Sequence, residues 1–192
     1  MEIRRLSEFV DFDPGINQTR AEKKLGQQEI SYYDNQSFER DLKKIQVERK
    51  LKDYQPNFSD FAVQLGDVVI NNTTQLAAIV GSTNVGRVLS LNFTKVNFNG
   101  SQLDQNYFVY LFNEYTDLQK QKAQQLQGTG TTVRITSKAL EHFVIPVIPL
   151  AEQQKMGLAY TKVIELQSNL TVYGSLLEDL TKSILKKNLE GD

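Results

Sequence analysis

The chain has no cysteine, no tryptophan, a single histidine and only four prolines in 192 residues. Without cysteine there is neither a disulfide framework nor a thiolate metal site. One histidine, His142, leaves few routes to a zinc centre or a nucleophilic triad, and its place in Leu140-Glu141-His142-Phe143 suits a structural role. No stretch approaches 18 apolar residues, and Met1-Glu2-Ile3-Arg4-Arg5 lacks the apolar run of a signal peptide, so a soluble, cytoplasmic protein away from membranes is expected. An excess of one charge is also missing. The net charge is −1, with 17 basic and 17 acidic residues before Pro149 and 5 against 6 after it. That balance argues mildly against a nucleic-acid binder, though a local patch remains open. A Gly-x-Gly-x-x-Gly loop, a Gly-Lys-Ser/Thr phosphate loop and the Asn/Asp-Pro-Pro-Tyr/Phe signature of adenine methyltransferases are all absent. Carboxylates such as Asp11 and Asp13 have no catalytic spacing. The expectation is a non-catalytic protein without cofactor or metal.

What is present is a long apolar seam. Met156, Ala159, Val163, Leu166, Leu170, Tyr173, Leu177, Leu180 and Ile184 alternate in steps of three and four, which places them on one edge of an α-helix. The helix expected over Ala151–Leu189 opens after Pro149 and closes at Gly191, a rod of roughly 58 Å. Its own domain cannot cover such a rod, so a second long helix from another chain is the expected partner, as a homodimer. Leu158, Ile164, Val172, Leu176, Leu185 and Leu189 lie off the seam and suggest a further packed body. Gly157 and Gly174 weaken the helix and offer room for the close approach of a partner backbone. The competing reading folds the helix back on its own domain.

Upstream, the pattern predicts a strand at Glu2–Leu6, a brief helical turn capped by Ser7 through Phe12, and a turn at Asp13-Pro14-Gly15. Ile16 to Arg20 reads as extended and polar, and Lys23-Lys24 as part of a charged loop ending at Gly26. Ile30–Tyr33 is an expected strand, followed by a helix capped by Asn35 or Ser37 and carrying Phe38, Leu42 and Ile45. The basic window Arg40–Lys52 is a solvated face or, alternatively, a phosphate contact. Alternation at Phe61, Val63 and Leu65, then Val68–Ile70, Leu76–Val80 and Val88–Phe93, predicts strands, with a polar tip at Asn71-Asn72-Thr73-Thr74 and a loop at Gly81–Arg87. A helix started by Ser101 or Asp104 carries Tyr107, Phe108, Leu111, Phe112 and Leu118 as core. After Gln127-Gly128-Thr129-Gly130-Thr131-Thr132 come a strand at Val133–Thr136, a short helix at Lys138–His142 capped by Ser137, and the apolar run Val144–Pro149.

The order of these features is recognisable. Gly15-Ile16-Asn17-Gln18-Thr19-Arg20, Leu65-Gly66-Asp67-Val68-Val69-Ile70, Tyr107-Phe108-Val109-Tyr110-Leu111-Phe112, the segment Gln127–Leu140 and above all Ile145-Pro146-Val147-Ile148-Pro149-Leu150-Ala151-Glu152-Gln153-Gln154-Lys155-Met156 resemble the specificity subunit of type I restriction-modification systems. The resemblance covers nearly the whole chain. It departs in one respect, since a full subunit of that family carries two recognition domains and two long helices, and this chain has one of each. It implies an α+β fold: a mixed α/β target-recognition domain over residues 1–149 with a twisted, mostly antiparallel sheet, then one long coiled-coil helix over 150–192. It further implies one half-site of a split double-stranded DNA target read by each copy of a homodimer, and an antiparallel helical spacer. The expected partners are methyltransferase subunits docked on the spacer and, through them, the restriction subunit. Methylation and cleavage would belong to those partners.

For DNA contact the candidates are polar and basic residues at loop tips: Asn17, Gln18, Arg20 and Lys23 in one group, and Asn72, Thr73, Arg87, Thr129, Thr131 and Arg134 in a second. Arginine suits guanine, and Asn or Gln suits adenine, because each can make two hydrogen bonds to a major-groove edge. The alternative from a different class is a coiled-coil assembly module with no DNA role, competing for partner subunits.

Overall fold

A computed structural model describes residues 2–25, 30–45, 61–125 and 134–190. Strand β1 (Glu2–Arg5) pairs antiparallel with β8 (Val144–Val147), which sets the start of the chain beside the segment that leads into the last helix. The central sheet has the order β2 (Val10–Pro14), β7 (Phe93–Phe98), β4 (Val68–Asn71), β5 (Leu76–Ile79), antiparallel throughout. A two-stranded parallel pair, β3 (Tyr32–Tyr33) with β6 (Val88–Leu89), forms a separate sheet that packs against it. The helices are α1 (Gln18–Leu25), α2 (Asn35–Leu42), α3 (Gln105–Glu114), α4 (Thr116–Gln125), α5 (Ser137–Leu140) and α6 (Leu150–Glu190).

Residues of β4 are buried on both faces, and the period-2 pleat explains where each goes. Val68 and Ile70 join Val10, Phe12, Ala77 and Val96 under the aromatic face of α3, where Phe108 and Phe112 stack at 5.5 Å between ring centres. Val69 turns the other way, to Ala78, Val80, Phe93, Tyr33 and Phe38 of α2. Val68-Val69-Ile70 is therefore the continuous apolar run expected of a strand covered on both sides. A buried carboxylate fastens the second layer: Asp41 accepts the Tyr33 hydroxyl (2.7 Å) and the Gly81 N–H (2.9 Å), and burial pushes its pKa up.

The rod forms as the spacing predicts, over 41 residues or about 62 Å. Its root packs on its own body through the face carrying Gln153, Gly157, Tyr160, Thr161 and Ile164. Gln153 is buried and ties three backbone groups: its Oε1 accepts from Asp104 N–H (2.9 Å), and its Nε2 donates to the carbonyls of Gln102 (3.0 Å) and Ile148 (2.8 Å). From Thr171 to Leu189 every residue is exposed. The fold-back reading thus describes the root of the helix, and Gly157 admits α3 of the same chain, while Gly174 faces open space.

Several local expectations change. Ser7 caps no helix into Phe12, because Leu6–Glu8 is one 3₁₀ turn and Val10–Pro14 pairs with β7. The segment after Asn17 is helical, with Asn17 Oδ1 accepting the Thr19 N–H (2.9 Å) as its cap. Asp34 and Asp104, one residue before or among the expected caps, start α2 and α3, and Thr136 starts α5. The long aromatic helix is two helices, broken at Tyr115, whose backbone is extended. Val88–Phe93 divides into β6 and the start of β7, and Phe61–Leu65 contributes only a bridge from Ala62 to Val88. His142 is exposed rather than packed among apolar neighbours, with Nδ1 at 2.8 Å from the Lys138 carbonyl oxygen.

Candidate nucleic-acid interface

The β4–β5 turn is organised by its own side chains. Asn71 Oδ1 accepts the N–H groups of Thr73 (2.9 Å) and Thr74 (3.1 Å), and Gln75, at φ 57°, donates its N–H to the Asn71 carbonyl (2.9 Å). Asn72 then stitches this turn to the β6–β7 link. Its N–H donates to the Asn92 carbonyl (2.9 Å), its Nδ2 to the Leu91 carbonyl (3.2 Å), and its Oδ1 accepts the Thr94 hydroxyl (2.9 Å). Arg134 reaches the same link, donating from Nη2 to Asn92 Oδ1 (2.9 Å). On the other side Ile16 bridges to Ser90, and Gly15 lies so close that a Cβ there would sit 2.1 Å from the Ser90 carbonyl oxygen. Only glycine fits that crossing.

One edge therefore gathers Asn17, Asn72, Thr73, Asn92 and Arg134. Asn17, Gln18, Arg20 and Lys23 are exposed along α1 and its cap, and Thr73, Thr74, Leu91, Asn92 and Arg134 are exposed as well. Asn72 is different, being buried with its whole amide engaged within the fold. Arg87 is half-buried, and its Nη1 donates to the Tyr32 carbonyl (3.1 Å), away from the edge that holds Arg134. Thr129 and Thr131 lie outside the described residues, as does most of the basic window Arg40–Lys52. Such an edge offers forked donors and amide groups on a rigid sheet, which is the chemistry that base edges and phosphates require. Among the described residues no group of three or more His, Cys, Asp or Glu could hold a metal ion. No helix among them is long and apolar enough to cross a membrane.

A family model, the type I restriction modification DNA specificity domain, matches residues 1–172. The chain belongs to this family. Solved specificity subunits share the fold of this specificity-domain chain. The type I restriction-modification S subunit from M. genitalium is 13% identical, with a TM-score of 0.61 over 95% of this chain and 44% of that one. The HsdS subunit from Thermoanaerobacter tengcongensis is 18% identical, with a TM-score of 0.55 over 100% of this chain and 45% of that one. A chain from a structure of the type I R-M system is 17% identical, with a TM-score of 0.55 over 97% and 45%. This chain thus spans less than half the length of those solved chains. Comparison with curated proteins returned no match.

Other residues of the specificity domain were invisible to spacing arguments. Asn92 and Leu91 belong to the edge but read as strand in the sequence, since the split of Val88–Phe93 into two elements has no compositional mark. Lys122, in a Gln/Lys-rich helix that looks solvated, is 3% exposed. Asn113 doubles the edge of β5: its Oδ1 accepts the Ala77 N–H (2.7 Å), and its Nδ2 donates to the Ala77 carbonyl (2.9 Å). The seam residues Met156, Val163, Leu166, Leu170, Tyr173, Leu177, Leu180 and Ile184 are 40–65% exposed, and Ala159 is exposed with them.

Proposed function

We propose that this chain is a sequence-specific DNA-recognition subunit of a type I restriction-modification system, with residues 1–149 as the reading domain and 150–192 as the spacer helix. Each copy reads one half of a split target. Two copies pair antiparallel along Met156, Ala159, Val163, Leu166, Leu170, Tyr173, Leu177, Leu180 and Ile184 as a homodimer, and methyltransferase subunits dock on the remaining apolar flank of the spacer. The observation that carries this reading is the division of α6: its Gly157 face is consumed by α3, and its leucine edge stays bare along the whole rod. A bare edge of this length calls for a second helix. The reading edge is Asn17, Gln18, Arg20, Lys23, Thr73 and Arg134, with Asn72 as its internal brace and Thr129 and Thr131 next in the chain before Arg134. Arg87 contributes from the β3 side.

The test is selection of bound duplexes from a random pool by the full chain, alone and with a type I methyltransferase subunit, followed by a salt series on the selected word. The expected product is an inverted repeat of one short half-site, bound with a steep loss of affinity as salt rises. Recovery of no word in either arm would refute DNA reading and favour the assembly-module alternative.

A further inference from the structure

The corner between α3 and α4 contains a buried ammonium. Lys122 projects from α4 into the body, where Nζ donates to the Gln75 carbonyl (2.8 Å) and to the Phe112 carbonyl, and stands 3.7 Å from the centre of the Phe112 ring. The Phe112 carbonyl is one of those that α3 leaves over when it ends at Tyr115, and Gln119 Nε2 also donates to it (2.9 Å). No carboxylate pairs directly with Lys122 among the described residues; Glu114 is the charged group whose field reaches it. An ammonium held by two carbonyls and a ring has paid desolvation without an ion-pair partner, and such groups cost stability relative to a well-packed apolar side chain. Its other end explains its presence. Gln75 is the left-handed residue that closes the β4–β5 turn, and its side chain donates back to the Asn72 carbonyl.

The geometry points to Lys122 as a positioning residue for DNA reading: by holding the Gln75 carbonyl, the buried ammonium sets the stance of Thr73 and Thr74 at the reading edge. This rests on the DNA-reading role proposed above. Burial brings the Lys122 pKa down to about 7, so the clamp loosens as pH rises through neutrality. Around it, Glu114 belongs to α3, Asp117 and Lys120 pair with each other on α4, and Tyr160 of α6 is pushed up to about 12. Tyr115 at the corner is also raised. The exposed His142 shares a cleft with Gln121, Gln124 and Gln125 of α4, and it and Lys44, lowered by burial, are common to the wild type and a Lys122 variant.

The experiment compares the full chain with Lys122→Met, using the selected word, single-mismatch versions of it and random duplex from pH 6 to 8.5. Discrimination between the word and its mismatches is expected to fall about tenfold in the variant at pH 6, with random-duplex affinity unchanged. Wild-type discrimination should fall across the same pH range in one step near 7, and that step should vanish in the variant. If the variant does not fold, the step is read in His142→Asn instead: a step that persists there upholds Lys122, and one that vanishes overturns its role. Amide exchange of Thr73, Thr74 and Gln75, expressed as protection, separates the two claims. A chain that selects no word but loses protection there in the variant refutes DNA reading and upholds the clamp on the turn. A word read equally well by both proteins, at every pH, overturns the role of Lys122.

Discussion

Gly157 and Gly174 are both in the middle of α6, and the same substitution at each should have opposite signs. A Cβ at Gly157 would lie 2.5 Å from the Tyr107 nitrogen and 2.7 and 2.8 Å from Asn106 Cβ and carbonyl carbon, against a contact distance of about 3.5–4.0 Å for nonbonded carbon. Relief requires the two helices to part by about 1 Å. That motion strains the Thr161 hydroxyl to Asn106 Oδ1 bond (3.0 Å), the Tyr160 ring against Tyr110 (5.6 Å between centres) and the Gln153 anchor. Overpacking of this kind costs about 1–3 kcal/mol, each lost hydrogen bond about 1 more, and the gain in helix propensity returns about 1. The net for Gly157→Ala is a loss of about 2 kcal/mol, or roughly 4–8 °C in thermal midpoint for a chain of this size. At Gly174 nothing lies within 4 Å, so Gly174→Ala keeps only the propensity gain of up to about 1 kcal/mol. Urea and thermal unfolding followed by circular dichroism, at one fixed protein concentration so that association contributes equally, measure both. If Gly157→Ala proves as stable as the wild type, the rod does not root against α3, and the division of its faces fails with it.

Leu166→Glu with Leu170→Glu, both at least 59% exposed in the single chain, should leave the fold intact and convert a dimer into a monomer by sedimentation; an unchanged dimer would place the interface elsewhere. Asn72→Ala should cost about 1–3 kcal/mol, since it leaves the Leu91 carbonyl and the Thr94 hydroxyl without their partner, whereas Thr73→Ala should move stability by under about 0.5 and reduce discrimination of the selected word. Asp41→Asn should change the pH dependence of folding. The folded Asp41 binds its proton more readily than an unfolded aspartate, so its ionisation costs stability as pH rises above the ordinary value of 3.8, and the variant should gain on the wild type from pH 4 upward in unfolding titrations. Asn113→Ala should cost about 2 kcal/mol and, in selections where the gap between half-sites varies, broaden the preferred gap without changing the half-site.

The sequence made the rod legible because its apolar spacing persists over many turns, and β4 legible because both of its faces are apolar. It hid the break at Tyr115, where no glycine or proline interrupts the periodicity. Caps slipped by a residue because Asp34, Asn35 and Ser37 all qualify chemically, and only the packed backbone decides that Asp34 accepts the Ser37 N–H. At the candidate edge, composition named the polar tips but not their states. Asn72 and Thr73 are neighbours with the same turn chemistry, yet one is sealed by three hydrogen bonds and the other is exposed. Lys122 looked like any lysine on a polar helix because its burial depends on the fold of α4 back against α3 and on a carbonyl 47 residues away.

The value of a spacer helix depends on how stiffly it is joined to the part that reads. Here the joint is polar and specific. The Asn113 amide pairs with both backbone groups of Ala77, in the manner of an added strand, and its Nδ2 also lies 3.3 Å from the Tyr160 hydroxyl on α6. Tyr160 in turn donates to Glu114 Oε1 (3.2 Å) at the end of α3. β5 begins one residue after the turn that presents Thr73 and Thr74, so the rod, the end of α3 and the reading edge are linked within a few bonds of one another. Motion of α3, on which α6 is seated at Gly157, against the sheet would leave the Ala77 N–H and carbonyl unpaired in a buried site, at a cost of about 1–3 kcal/mol for each group. That cost keeps the rod and the edge together as one body. Under the proposed function, two such bodies joined along the bare leucine seam would hold their edges at a separation fixed by the helix rather than by the DNA, and selection should then return a split target with one preferred gap.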